Sequence, residues 1–485
     1  MMLPALLIGM LVPVLQGLLL LRIFERKVRV LSHPERLAAA LLLGMPLGNF
    51  VLFFALLLGV PVTLVGFLAV HGALLILLSF LVWKFARGSF KDVLLPKDSP
   101  RLSLSLKSIP LPFKVIGGIF LFWMILKIVA GAYDLLSIPS YFDDTYANWN
   151  MRAKAFYESQ SLLLDLPRTD PFFFGGRVPS YPLTIYLTKV WLALLNGEWS
   201  DTLVNGVHLV WFALLLTLIF GSLSRLLSSL WGFLGVYILV SLPLVFMHGV
   251  NAYTDVLLSA SLFLPLLSFY QWMEENDRER KTVWFFLLSV ASAAILFVKS
   301  EALLLFLPPL LLLFGIASFF EKESLLVWGR HLSKYVGIVA LVASPWILFK
   351  AYYGLEFGNA QAVGKFALSL HSEVPEAILN DLLHTGSYLL FFSVFLLIVI
   401  LSFREWVRKP IGFLLLFLGI VLVGQFLIYY LTPLATEAVK HTGYGRGIVQ
   451  LLPSLTFSAI LLLQYIIATL IADRSRGLPF LARKS

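Results

Sequence analysis

The feature that most constrains this chain is a recurrence of apolar runs about 20 residues long, separated by short loops that hold most of its basic residues. A helix of that length crosses about 30 Å of hydrocarbon. Within lipid, each backbone N–H and C=O must find its partner inside a helix or a closed barrel. The chain therefore reads as an all-α, polytopic membrane protein. Composition agrees: 59% of the 485 residues are hydrophobic and 13% are charged, where soluble domains carry about 25% charged residues. The first run, residues 3–24, lacks a basic leader and is long enough to span, so a retained helix is expected rather than a cleaved signal.

The net charge of +10 does not indicate nucleic acid, because its sources are divided among loops. Arg22, Arg26, Lys27, Arg29 and Arg36 follow the first run, and a proline-punctuated basic segment, residues 84–114, follows the third. This is the positive-inside pattern. It places the amino terminus outside and the carboxyl terminus in the cytoplasm of a cell (inner) membrane. Residues 183–195 are apolar enough to resemble a span. If they crossed, the clusters around Arg278, Arg330, Arg404 and the tail would all fall outside. They are therefore expected to lie along the surface, which leaves 13 spans. Three units are expected: residues 1–112, a three-helix unit with its cytoplasmic linker; 113–353, a core with a large outer loop at 134–201; and 354–485, with outer loops at 354–384 and 432–446.

The residues able to carry chemistry gather on the outer face. Residues 141–160 read YFDDTYANWNMRAKAFYESQ and hold the adjacent acids Asp143 and Asp144. A carboxylate beside a membrane can deprotonate an acceptor or hold a cation; Asp144 can also cap the helix that follows. Both roles are expected, with Asp143 freer for chemistry. Tyr146, Trp149, Ala153, Phe156, Tyr157 and Gln160 form one stripe at helical spacing, with Asn148, Arg152 and Glu158 away from it. That pattern predicts a helix in the interface plane. Arg152 and Lys154 either meet an anionic head group or snorkel.

Asp255 stands at the outer mouth of a span, where an ionisable group is costly, with His248 close before it. Lys299 and Glu301 lie between two apolar runs and read as an ion pair or as a phosphate contact. Arg446 opens the last span among Gly443, Gly445 and Gly447. A guanidinium at a helix start suits phosphate, and a structural ion pair is the other reading. His371, Glu373, Glu376, Asp381 and His384 read as a solvated loop. With no cysteine, disulfides, thiolate zinc and cysteine nucleophiles are excluded, and no nucleotide-binding motif occurs.

These pieces resemble the bacterial membrane glycosyltransferases of the GT-C superfamily. The acidic pair in the first large outer loop is followed by W-N-x-R-A-K-A-x-Y at Trp149–Tyr157. SYPL, which contains Tyr181, looks like the group's Tyr-Pro-Leu motif; NAYTD, ending at Asp255, is similar to its Tyr-x-Asp motif. KSEAL is similar to Lys-x-Glu-Gly, with Ala302 in place of the glycine, and GRGIVQLLP looks like the arginine-bearing last helix. The resemblance covers about residues 113–453 and implies transfer of a sugar from a polyprenyl-phosphate donor to a glycan, lipid or protein acceptor on the periplasmic side, usually with inversion. It implies Asp143 as general base, Arg446 and Lys299 (with Arg152 and Lys154 nearby) at the donor phosphate, and Asp255, His248, Glu301 and Tyr181 as acceptor or supporting residues. Some members use a divalent cation such as Mg or Mn, which Asp143 and Asp144 would hold here. The competing readings are a transporter or flippase of lipid-linked sugars and a polysaccharide ligase or polymerase.

Overall fold

The computed structural model describes residues 2–86, 93, 99–100, 111–140, 144–320, 325–356, 369–407 and 409–475. Asp143 and most of the basic linker lie outside the described residues. Among those described, every regular element is helical. The amino-terminal helices are α1 (Met2–Phe24), α2 (His33–Leu57) and α3 (Leu64–Ala86), followed by α4 (Leu111–Ser137). The large loop holds α5 (Met151–Ser159) and α6 (Thr184–Asn196). The core continues through α7 (Asp201–Leu226), α8 (Ser229–Ser241), α9 (Pro243–Gly249), α10 (Asp255–Glu274), α11 (Arg278–Ile295), α12 (Leu307–Phe320) and α13 (Leu325–Tyr353). The last part holds α14 (Val374–Leu383), α15 (Phe391–Leu401), α16 (Ile411–Leu431), α17 (Ala435–Val439) and α18 (Gly443–Ser475).

Each of the 13 expected spans contains helix, but the number itself is not reproduced. Among the described residues, 9 helices are long and apolar enough to cross a membrane: α1 to α4, α7, α10, α13, α16 and α18. A tenth span exists if α8 and α9 are taken together, although they meet at 85°. The reason is local. Proline pushes the preceding residue out of the helical region, and Leu242, before Pro243, has ψ 116°. The expected spans at 283–298, 302–320 and 385–403 correspond to helices that begin with charge, begin with a π turn, or are short.

Helix α10 is the centre of the bundle, 94% of its apolar stretch being buried against α7, α11 and α18. By contrast α4 is 11% buried and stands at the edge. Small residues let α1 and α2 touch backbone to backbone, since a Cβ on Gly17 would overlap Ala40 and one on Gly44 would overlap the Pro13 carbonyl. At the end of the bundle away from Asp255, two buried ion pairs tie these helices to the core: Arg36–Glu25 at 2.5 Å and Arg225–Glu35 at 2.8 Å. Glu35 also accepts from Ser32 N at 2.9 Å, completing a capping box at the start of α2.

The apolar segment at 183–195 is helix α6, 13 residues long and so about 20 Å, too short to cross. It lies against α1, α2 and α5. Trp191 Nε1 donates to the Gly9 carbonyl at 3.2 Å, and Asn49 Nδ2 donates to Thr188 Oγ1 at 2.9 Å.

Candidate active site

Asp255 is the first residue of α10 and is fully buried. Its position at a helix amino terminus favours the negative charge, but its carboxylate is not spent on a cap. Oδ1 accepts from Lys299 Nζ at 3.0 Å and Gln450 Nε2 at 2.8 Å. Oδ2 accepts from Arg446 Nε at 3.1 Å and lies 3.3 Å from His248 Nδ1. Four side chains from three elements thus converge on one acid. His248 reaches it because the bend at Pro243 turns α9 across the mouth of α10. Of the two readings for Asp255, the cap is therefore replaced by an ion-pair hub.

Lys299 sits in the tight turn after α11 and bridges two acids, with Glu301 Oε1 at 2.9 Å. Burial opposes its charge, but Asp255 and Glu301 outweigh that and hold it above the ordinary lysine range. Glu301 Oε1 also lies 3.5 Å from the Tyr181 hydroxyl. Its Oε2 accepts nothing from the described residues.

Arg446 stands in the first turn of α18. The approach of α16 leaves no room beside it, as a Cβ on Gly447 would come within 2.8 Å of the Gln425 amide. While Nε meets Asp255, Nη1 donates to Asp144 Oδ2, so one guanidinium joins the two acids. Asp144 makes no side-chain cap, which corrects the expectation that it would close the following helix. Its carboxylate is turned towards Arg446 instead, and both side chains are about one-third exposed (34% and 29%).

The chain after Asp144 is a π turn, Thr145–Asn150, and the chain after Glu301 is another, Ala302–Phe306. Such turns are rare and recur at functional sites; here each one directly follows a site acid. The first is pinned by Tyr186 Oη donating to Asn148 Oδ1 at 2.8 Å and Lys189 Nζ donating to Asn150 Oδ1 at 2.5 Å. Trp149 packs between the Tyr181 and Tyr186 rings.

Tyr181, Lys299, Glu301 and Arg446 face a cavity that opens to solvent, completed by Tyr429 and Glu437 among others. Burial pushes the Glu437 carboxyl up, with Arg446 acting against it and Asp144 adding to it.

Arg152 does not join this site, contrary to the expectation that it lies on the outer side of its helix. It is 1% exposed. Nε donates to the Phe174 carbonyl at 3.0 Å, Nη1 to Val178 and Tyr181 at 3.2 and 3.0 Å, and Nη2 to Pro179 at 3.2 Å. Its guanidinium also stacks over the Tyr186 ring at 4.3 Å. With four carbonyls in its grasp it secures the loop that carries Tyr181, and at 1% exposure it offers no face to a head group. Lys154, in the same helix, is exposed.

Asp381 is likewise not solvated as expected. It is 3% exposed and lies 3.8 Å from His441. Residues that sequence reasoning overlooked include Gln450, Lys189 and Gln425. Gln450 was legible, being four residues after Arg446 and so on the same helix face. Lys189 was visible as a lone charge in TIYLTKVWLALLN. Gln425 had no signal beyond one amide in an apolar run.

No protein-family model matches the chain, and no curated protein matches it. Among solved structures, the chain is similar to ArnT from Cupriavidus metallidurans. In the apo crystal structure the TM-score is 0.52 at 13% identity, over 75% of this chain and 63% of that one. In the crystal structure of that protein bound to undecaprenyl phosphate it is 0.50 at 14% identity, over 76% and 64%. The chain thus spans less than two thirds of the length of the protein it matches. The likeness is one of fold, and it bears out the all-helical, many-spanned architecture expected from the apolar runs.

Proposed function

We propose that this protein is a membrane glycosyltransferase that moves a sugar from a polyprenyl-phosphate donor to a lipid, glycan or protein acceptor at the outer face, with inversion. The observation that carries the reading is Arg446, partly exposed to an open cavity while bonded to Asp144 and to the Asp255 hub. A fold similar to that of a protein crystallised with undecaprenyl phosphate supports the choice of donor.

In this mechanism an acceptor hydroxyl or amine attacks the anomeric carbon as the bond from that carbon to the phosphate oxygen breaks. The acceptor proton passes to Asp143 or Asp144, and the electron pair leaves with the phosphate. Arg446 stabilises the charge that develops there at any physiological pH. Lys299 adds a second positive charge from within the wall, and Asp255 with His248 and Gln450 fixes where both cations stand. Protonation of the leaving group is not required, since phosphate departs as an anion. The lipid chain brings its own membrane affinity, about 0.8 kcal/mol per buried methylene.

A divalent cation such as Mg or Mn would be held by Asp143 and Asp144, of which Asp143 lies outside the described residues. Among the described residues no three His, Asp or Glu side chains surround a common point, and Asp144 is engaged by Arg446.

The test begins with mass spectrometry of lipid that copurifies with the protein, followed by turnover of that donor. Asp143→Asn and Asp144→Asn are then compared. Loss of a general base costs about 10²- to 10⁴-fold in rate, so one of the two variants is expected to fall by that much while still retaining donor. Full transfer in both would overturn the base assignment. Arg446→Ala is expected to weaken donor retention, and unchanged retention would remove the phosphate assignment.

A further inference from the structure

A second cavity lies at the other end of the bundle. Helix α10 begins at Asp255 and runs 20 residues, about 30 Å, before residues 275–277 lead into α11 at Arg278. Here the ends of α1 and α11 enclose about 1150 Å³ of open space. One side is apolar, with Ile23, Phe24 and Phe286; the Phe24 and Phe286 rings stack with centroids 6.0 Å apart. The other side carries Arg26, Lys27, Arg278 and Glu279. Lys27 Nζ bonds Glu279 Oε1 at 2.5 Å and so joins the loop after α1 to the first turn of α11. That pair consumes the cavity's carboxylate, and Arg26 and Arg278 have no ion-pair partner among the described residues. Three cations against one anion leave the lining at +2.

We propose that this cavity binds the phosphate headgroup of an anionic phospholipid. Guanidinium groups clasp phosphate oxygens in pairs of parallel hydrogen bonds, and Arg26 and Arg278 are the two cations left for that task. Basic pockets between helix ends are a recurrent place for such headgroups. The apolar wall decides between sources. A soluble phosphate has no use for Ile23, Phe24 and Phe286, whereas the first methylenes of an acyl chain would bury against them. Charge complementarity and the position at the end of the membrane-length helix α1 therefore point to one occupant. The site is independent of sugar transfer, which takes place at the opposite end of α10.

The experiment uses the full chain, purified in detergent and stripped of lipid. Phosphatidylglycerol, cardiolipin and phosphatidylcholine are titrated separately, and binding is read by native mass spectrometry. The two anionic lipids are expected to bind about tenfold or more tightly than phosphatidylcholine, as loss of charge-assisted hydrogen bonds implies. Arg26→Gln combined with Arg278→Gln is expected to abolish that preference. Glu279→Gln, which removes the cavity's negative charge, is expected to sharpen it, and this variant decides the matter if the double variant does not fold. Equal binding of all three lipids overturns the proposal. So does an undiminished preference in a folded double variant, or displacement of phosphatidylglycerol by millimolar inorganic phosphate, which would reveal a site for the free anion.

Discussion

Arg152 and Arg446 invite the same expectation from sequence: each is an arginine on the outer face, and each could face a phosphate. Their surroundings separate them. Arg152 is enclosed by four carbonyls and three aromatic rings, while Arg446 keeps part of its guanidinium in the cavity. Arg152→Met should therefore act on stability. Orphaning buried carbonyls costs about 1–3 kcal/mol each, and the loop through Tyr181 would loosen, so a drop of about 3 kcal/mol or more is expected, read as a lowered thermal midpoint. Whatever protein remains folded should keep its donor affinity. The difference was invisible in the sequence because carbonyls have no sequence signature. Any loop can supply them, and only the fold shows that residues 174–181 wrap this side chain. Asp255, Lys299 and Arg446 were legible for the opposite reason, since charges at the ends of apolar runs are costly wherever they occur. What could not be read was that they meet at one carboxylate.

Among the elements, the pair α8 and α9 shows how one proline serves the site. Unbroken, residues 229–249 would make a single helix and carry His248 away from Asp255. The bend leaves carbonyls without helical partners, and Lys127 Nζ donates to one of them, Val240 O, at 2.7 Å. Pro243→Ala restores an N–H and lifts the restriction on Leu242. We expect it to straighten the break, weaken the His248 contact and lower kcat by about tenfold, in line with the loss of a single positioning interaction, with little change in donor retention. Steady-state kinetics beside lipid-binding measurements would check this, and an unaltered kcat would deny the bend its role. The Leu-Pro pair was present in the sequence, but hydropathy averages over such a step and reports one span. The same averaging made α11 and α15 look like full crossings. Long helices with plain flanks, α1 to α4 among them, were read correctly because length and apolarity suffice there.

At the scale of the whole molecule, polarity is divided between two ends, the Asp255 site at one and the Glu25, Glu35 and Arg225 pairs at the other. Lys189 is an exception, a buried amine in α6 beneath the π turn. Burial pulls it down to about 7, with Asp201 acting against the shift. A lysine depressed in the folded state and near 10.4 when unfolded destabilises most below pH 7, where both states carry the proton. Stability should then rise between about pH 7 and pH 10, where the unfolded chain holds a proton that the folded chain lacks. Lys189→Met is expected to flatten that rise in thermal unfolding scans, and a parallel slope in the variant would assign it to another group.

The bond between Arg446 and Asp144 bears on the timing of the reaction. If Arg446 receives the donor phosphate as proposed, the lipid and Asp144 compete for one cation. Before the donor arrives, the Asp144 carboxylate is held by Arg446; once phosphate takes its place, that carboxylate is free to turn to the acceptor. Were Asp144 the acid that takes the acceptor proton, the guanidinium would work as an interlock, freeing it only when there is a sugar to transfer, and water reaching an empty site would meet an acid already engaged.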